Sequence, residues 1–245
     1  MTESINYDEI AGVYAQTRAA APVVVEALAQ QIADFAADAV VVELGCGTGN
    51  HSRALAARFP QYQYEGFDQS SAMLHEAQRI PSKVSFRKGD AERHWPYADS
   101  YADLVFNVDV IHYIKDLPAF FQEARRVLKT GGTLVIATDS DADLRNRSLT
   151  QFFPEILAEE LARYPAATAL HAAAAAAGLF YEGAESLNGT RPITDEDIAN
   201  LAVKCSSALR LITLEAHLSG LERVRAAQRE GVPWRSCYTL YQYRK

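Results

Sequence analysis

Between residues 22 and 139 the apolar positions alternate between short continuous runs and helical stripes. Val24, Val25, Leu28, Ile32 and Phe35 recur at helical spacing behind Pro22, a residue suited to a first helical turn. Ala39-Val-Val-Val-Glu-Leu44 is a short apolar run that ends in glycines and predicts a strand. Residues 50–58 predict a helix that stops before Pro60, and Tyr62 to Asp68 a second strand. Ser70 or Ser71 caps a helix running through residue 79, which Pro81 ends. Val84 to Lys88 predicts a third strand, and Ala102 to Asn107 a fourth, apolar enough to be central. Pro118 opens a helix to Lys129, Gly131-Gly132 ends it, and Thr133 to Thr138 predicts a fifth strand.

Strands alternating with helices imply a mainly parallel sheet with helices on both faces and right-handed crossovers. Ligands of such sheets bind beyond the carboxyl ends of the strands, where the strand order reverses. After residue 140 the pattern changes. Residues 147–177 read as mostly helical, through Pro154 and Pro165 and into the alanine run from Ala172. Leu179 to Leu187 predicts a sixth strand, Thr194-Asp-Glu-Asp197 opens a helix as a capping box, and residues 206–230 are helical. Cys237 to Tyr243, rich in aromatic β-formers, predicts a last strand. The expected organisation is one α/β domain over 1–245. Residues 1–37 form N-terminal lid helices and 38–140 a ligand-binding core. Residues 141–178 and 188–233 form helical caps around last strands at 179–187 and 235–244.

Composition narrows the classes. The chain has 245 residues, 49% of them hydrophobic and 22% charged, enough to bury a core and inconsistent with global disorder. A net charge of -7 disfavours nucleic-acid backbones and anionic membranes. Cys46, Cys205 and Cys237 are odd in number and far apart, which predicts reduced thiols in a cytoplasmic protein and no zinc site. The acidic, polar opening Met1-Thr-Glu-Ser does not read as a signal peptide, and no apolar run reaches membrane-spanning length. Oligomeric state is not legible.

Val41-Val-Glu-Leu-Gly-Cys-Gly-Thr-Gly49 carries the strongest chemical signal. Glycines at 45, 47 and 49 allow a sharp turn and a close backbone approach to a ligand. A dinucleotide fingerprint, G-x-G-x-x-G, needs glycine at position 50, where this chain has asparagine. Glu43, two residues before the first glycine, suits a cationic ligand better than a pyrophosphate.

This loop resembles motif I of the class I S-adenosylmethionine-dependent methyltransferases, and the likeness extends over about residues 35–140. It implies a seven-stranded Rossmann-like doubly wound α/β sheet with helical lid elements. It also implies S-adenosylmethionine as cofactor, S-adenosylhomocysteine as product, and a small molecule as acceptor. Glu43, Gly45, Cys46, Gly47 and Gly49 match the cofactor loop, with Cys46 as a small loop residue. Glu65-Gly-Phe-Asp68 closes the second strand, and the resemblance makes Asp68 the ribose-binding acid, followed by Gln69 and Met73 at the adenosine. Lys88-Gly-Asp-Ala91 places Asp90 and Ala91 beside the adenine. Asn107 and Val108 end the fourth strand near the methionine moiety, and Arg126-Val-Leu-Lys-Thr-Gly-Gly132 is similar to the family's L-K-P-G-G turn with Thr130 for proline. Tyr7, Tyr14 and Arg18 fall where small-molecule members carry a leading helix that closes over the cofactor, Arg18 offering a bidentate partner to its carboxylate.

Methyl transfer needs a nucleophile held in line with the methyl group and shielded from water, and a base only if that nucleophile arrives protonated. His112 follows the fourth strand and is the first candidate base, with Tyr113 and Asp109 behind it. Phe152, Phe153, Tyr164 and Trp95 are candidate pocket aromatics, and Arg147, Arg191 and Lys204 candidate contacts for an anionic acceptor. Two other readings stay open: a non-catalytic S-adenosylmethionine-binding regulatory protein, and a NAD-dependent oxidoreductase, against which Asn50, Glu43 and Asp90 speak.

Overall fold

The structure, a computed structural model, describes residues 7–245. Two helices lead, α1 (Tyr7–Thr17) and α2 (Pro22–Ile32), the latter with proline in its first turn. The β/α alternation follows as β1 (Val40–Leu44), α3 (Asn50–Arg58), β2 (Gln63–Asp68), α4 (Ser71–Arg79) and β3 (Val84–Lys88). Next come β4 (Ala102–Val108), α5 (Leu117–Val127) and β5 (Leu128–Thr138). The sheet has seven strands in the order β3-β2-β1-β4-β5-β7-β6, where β6 is Phe180–Arg191 and β7 is Trp234–Arg244. The first five strands pair in parallel, and β7 joins both β5 and β6 antiparallel. The strand order reverses between β1 and β4, which puts the crevice for ligands at their carboxyl ends.

Every residue of β1 is buried, as expected of a strand covered on both faces. One face packs under α5 and the helix Ala167–Ala176. Phe120, Phe121, Ala124 and Val127 form the buried stripe of α5, and Asp116 caps it by accepting from Ala119 N at 3.0 Å. Burying each phenylalanine contributes about 1.5–3 kcal/mol. The other face packs under α2 and α3 through Val24, Leu28, Ile32 and Leu55. A third cluster, Phe153, Ile156, Leu201, Leu209, Leu221 and Val224, gives the cap its own small core.

Three predicted spans are corrected. The helical stretch 147–177 is broken into α7 (Ser148–Phe152), α8 (Leu157–Arg163) and α9 (Ala167–Ala176), preceded by α6 (Asp141–Asn146). Pro154 and Pro165 cause the breaks, because proline lacks the amide a continuing helix needs. The sixth strand does not end at Leu187. Residues Asn188 to Arg191 continue the ladder against Cys237 to Trp234, so the cap assigned to 188–233 begins only after Arg191. It comprises α10 (Asp195–Ala202) and α11 (Leu214–Arg229). Finally, β5 starts at Leu128 rather than Thr133. It carries an irregularity at Gly131-Gly132, where Gly131 N bonds Lys245 O and Lys245 N bonds Gly132 O.

Candidate functional site

The loop after β1 is folded by its own backbone: Gly49 N bonds Cys46 O at 2.7 Å, and Cys46 N bonds Phe67 O at 3.1 Å. Gly47 has φ +51°, and a Cβ added there would stand 3.7 Å from the Tyr14 ring. The open face of the loop therefore lies beneath Tyr14. Gly45 and Gly49 turn elsewhere, their missing Cβ positions filled by Val110 and Phe86. Cys46 is buried, and burial pushes its thiol up, so it is a packing residue of the turn.

Asp68 staples this loop to β2. Its Oδ2 accepts from Gly47 N and its Oδ1 from Ser70 N, both at 2.8 Å. Burial raises its carboxyl above the ordinary value despite those bonds. Each oxygen keeps a lone pair directed elsewhere. Asp90 folds its own turn, Oδ1 accepting from Glu92 N at 2.9 Å and Oδ2 from Arg93 Nε at 3.1 Å. Together Gly47, Asp68, Gln69, Met73, Asp90 and Ala91 line one cleft of ≈ 740 Å³, closed by Val108 and Tyr14.

Glu43 is placed differently from a direct ligand contact. Its Oε2 accepts from Ser52 N at 3.1 Å and from Ser52 Oγ, and its Oε1 lies 3.7 Å from His51 Nδ1. It anchors the first turn of α3, where a carboxylate meets the positive helix end. It still borders a second cleft of ≈ 490 Å³ with Gly45, Cys46, Thr48, Val108 and Arg18. Asn107 is fully buried, and neither its Oδ1 nor its Nδ2 has a partner among the described residues. Thr48 Oγ1 is likewise unpartnered.

A third cleft, ≈ 860 Å³, opens beyond β4 and β5. Tyr14 and Asp109 line all three clefts, so the three are lobes of one depression. Asp109 sits at this junction with φ +57°, an uncommon backbone for a residue with a side chain, and Arg18 Nη2 stands 3.8 Å from its Oδ2. His112 and Tyr113 both line the third lobe, Tyr113 donating its hydroxyl to Ser207 Oγ at 3.2 Å. The His112 ring stacks on Tyr164 at 4.3 Å, and its Nδ1 is buried without a partner among the described residues. Burial, then the charges of Arg163 and Arg147, push His112 well below its ordinary pKa, so the ring is neutral.

Arg147 lies in the wall of the same lobe, held by Asp139 Oδ2 and Glu160 Oε2 at 2.5 Å each. Burial raises Asp139 to about 7 against the pull of Arg147. Arg163 pairs with Glu160 at 3.0 Å and lies 5.3 Å from the centre of the Tyr113 ring.

Of the remaining expected pocket residues, only Tyr164 lines the lobe. Trp95 and Phe153 are core, Phe152 packs on Trp234, and Arg191 pairs with Asp197 outside the site. Lys204 borders none of the three lobes. The Tyr7 side chain lies outside the described residues. Asp139, Glu160, Trp234 and Tyr238 carried no local motif and were not anticipated.

Residues 42–136 match the family of methyltransferase domains. This segment is thus similar to a methyltransferase domain. The family depends on S-adenosylmethionine. Among curated relatives, trans-aconitate 2-methyltransferase of Azoarcus sp. (strain BH72) is 34% identical over 136 residues, 56% of this chain and 53% of the relative. The chain thus spans about half the length of that relative, and less of several others. A solved structure described as a methyltransferase from an antibiotic biosynthesis pathway of Anabaena variabilis aligns with TM-score 0.69 at 21% identity, covering 94% of this chain and 99% of that one. Phosphoethanolamine N-methyltransferase 2 of Haemonchus contortus, solved with S-adenosyl-L-methionine, aligns with TM-score 0.64 at 18% identity, covering 99% and 60%. At these identities the structures establish a shared fold, which includes the methyltransferase domain's sheet and its flanking helices.

Proposed function

We propose that the chain is an S-adenosylmethionine-dependent methyltransferase acting on a small, polar acceptor. One observation carries the reading: the cleft at Gly47 and Asp68 opens into the lobe holding His112 and Tyr164 through a junction shared by Tyr14 and Asp109. A cofactor laid along the first two lobes would meet an acceptor at that junction.

The residues present fit the cofactor. Asp68 has lone pairs left for two ribose hydroxyls after bonding Gly47 N and Ser70 N. Gly47 gives close approach without a Cβ, and Met73 and Ala91 give an apolar bed for a planar base. Asn107 and Thr48 supply buried polar atoms without partners near the carboxyl end of β1, where such orphans call for a function. Arg18 borders the second lobe as a partner for a carboxylate. When bound, the group supplies a methyl carbon on a sulfonium leaving group.

The third lobe constrains the acceptor. Leu149 is the sole aliphatic side chain among its described lining residues, which disfavours a terpenoid or acyl chain. Its cations Arg18, Arg147 and Arg235 are matched by Asp109, Asp139 and Glu160. That balance favours an acceptor of low net charge over a polyanion such as trans-aconitate, which the Azoarcus relative's name specifies. His112, being neutral, is in the form that accepts a proton, and Asp109 and Tyr113 lie within the same junction.

The test is calorimetry of the purified chain with S-adenosylhomocysteine and with NAD, followed by incubation of radiolabelled S-adenosylmethionine with fractionated metabolite extracts. Binding of the first and not the second, and label moving into a small polar product, support the reading. NAD binding alone overturns it. Cofactor binding with no label transfer across all fractions favours the regulatory alternative.

A further inference from the structure

Position 50, where a dinucleotide loop has glycine, carries a side chain that the structure uses. Asn50 Nδ2 donates to Arg18 O at 2.8 Å, and the next residue, His51, accepts from Ala21 N through Nε2 at 3.1 Å. Residues 18–21 are the connection between α1 and α2. The first turn of α3, directly after Gly49, therefore grips both ends of this hinge.

Both side chains are themselves oriented. Arg53 Nη2 donates to Asn50 Oδ1 at 2.8 Å, which fixes the amide so that Nδ2 faces the hinge. Because His51 Nε2 is an acceptor, its proton sits on Nδ1, which faces Glu43 Oε1 at 3.7 Å. Glu43 is held by Ser52 in turn. The far end of α1 is pinned in the same manner: Asp8 Oδ1 accepts from Ser70 Oγ at 2.5 Å and from Ala72 N at 3.2 Å. Ser70 follows Asp68 by two residues and bonds it through its own amide. The helix bearing Tyr14, with Arg18 directly after its end, is thus fastened at one end beside the glycine loop and at the other beside Asp68.

We infer that Asn50 and His51 are positioning residues for the cofactor, which hold the α1–α2 hinge so that Tyr14 and Arg18 close over Gly47. This rests on the cofactor reading proposed above. A ligand that needs the closed arrangement binds in proportion to the fraction of molecules that adopt it. Loosening the hinge lowers that fraction, and because Asn50 and His51 also border the second lobe, faster exchange in α1 is the readout that separates this route from a lost direct contact.

The experiment measures S-adenosylhomocysteine affinity by calorimetry for the wild type, Asn50→Ala, His51→Ala and His51→Gln. Ligand-free unfolding midpoints and amide exchange across residues 7–17 are measured on the same proteins. Glutamine retains an acceptor near the Nε2 position. Losing one hydrogen bond to the hinge is expected to weaken binding about five-fold in each alanine variant and to speed exchange in α1. His51→Gln is expected to stay within about two-fold of wild type. Unchanged affinity in both alanine variants overturns the inference. So does a loss in His51→Gln equal to that in His51→Ala with the unfolding midpoints falling in parallel, since that marks a purely structural role. A wild type that does not bind S-adenosylhomocysteine overturns the underlying cofactor reading instead, and is told apart by needing no variant.

Discussion

Removing the Asp68 carboxylate separates its two jobs. Without ligand it accepts from Gly47 N and Ser70 N at 2.8 Å, so Asp68→Ala leaves two amides of the site without their partner. Hydrogen bonds to a charged acceptor contribute about 1.5–3 kcal/mol each, reduced here because burial already disfavours the charge, as its raised pKa records. A loss of about 2–4 kcal/mol in urea unfolding is expected. With ligand, two ribose hydroxyls would add two further bonds to the same oxygens, together about 3 kcal/mol, which is about 100-fold in affinity. Asp68→Asn keeps one acceptor oxygen and turns an amide NH2 toward one of the backbone donors. It is expected to fall between, near about 10-fold. Calorimetry with S-adenosylhomocysteine reads the affinity and urea titration reads the stability. If Asp68→Ala loses stability while its affinity stays within about three-fold of wild type, the carboxylate is a loop staple only and the ribose assignment is refuted.

Four further outcomes follow from the same geometry. Arg147→Met strands Asp139 as a buried carboxylate and leaves Glu160 with Arg163 alone, and urea unfolding should show a loss of about 3–5 kcal/mol. Asp139 binds its proton more tightly folded than unfolded, so its contribution to stability is full below pH 3.8 and is lost as pH rises through about 7. Asp139→Asn should flatten the fall in melting temperature across that window. His112 has the opposite sign: its folded pKa is depressed, so its contribution is present above pH 6.5 and is lost as pH falls through the lowered folded value. His112→Phe should hold its melting temperature better than wild type on acidification below pH 6.5. In Gly220→Ala the new Cβ would stand 2.1 Å from the Phe153 ring under α11, and thermal unfolding should register overpacking of about 1–3 kcal/mol.

The centre of the parallel sheet was legible because β1 and β4 are covered on both faces and are mostly apolar along their length, in Val40 to Leu44 and Ala102 to Val108. The end of β6 was not. Asn188 to Arg191 lie on an edge strand with mostly exposed side chains, so hydrophobicity carries no alternation there. Their pairing is imposed by β7, whose Trp234 to Cys237 stand opposite. Periodicity likewise could not cut 147–177 into separate helices. The prolines that do so were visible, but the turns they impose depend on packing under α11 and β7.

The site divides along the same line. Most residues that the resemblance assigns to the cofactor sit in three contiguous stretches, 43–50, 65–69 and 88–91, each a strand end followed by a turn, where a motif can be read locally. Even there spacing could not assign the work of Glu43, because its partner Ser52 lies nine residues on and is met only when α3 folds back. The acceptor lobe has no such stretch. Arg147 meets Asp139 eight residues before it and Glu160 thirteen after it, and Tyr238 arrives from the last strand. Only the β6–β7 hairpin and the broken helices bring these groups to one wall. On the proposed reading, selectivity for the acceptor resides in the parts of the chain where local sequence says least. An alteration there, such as the charge balance around Arg147, can change the acceptor while the loop at Gly45 to Gly49 stays the same.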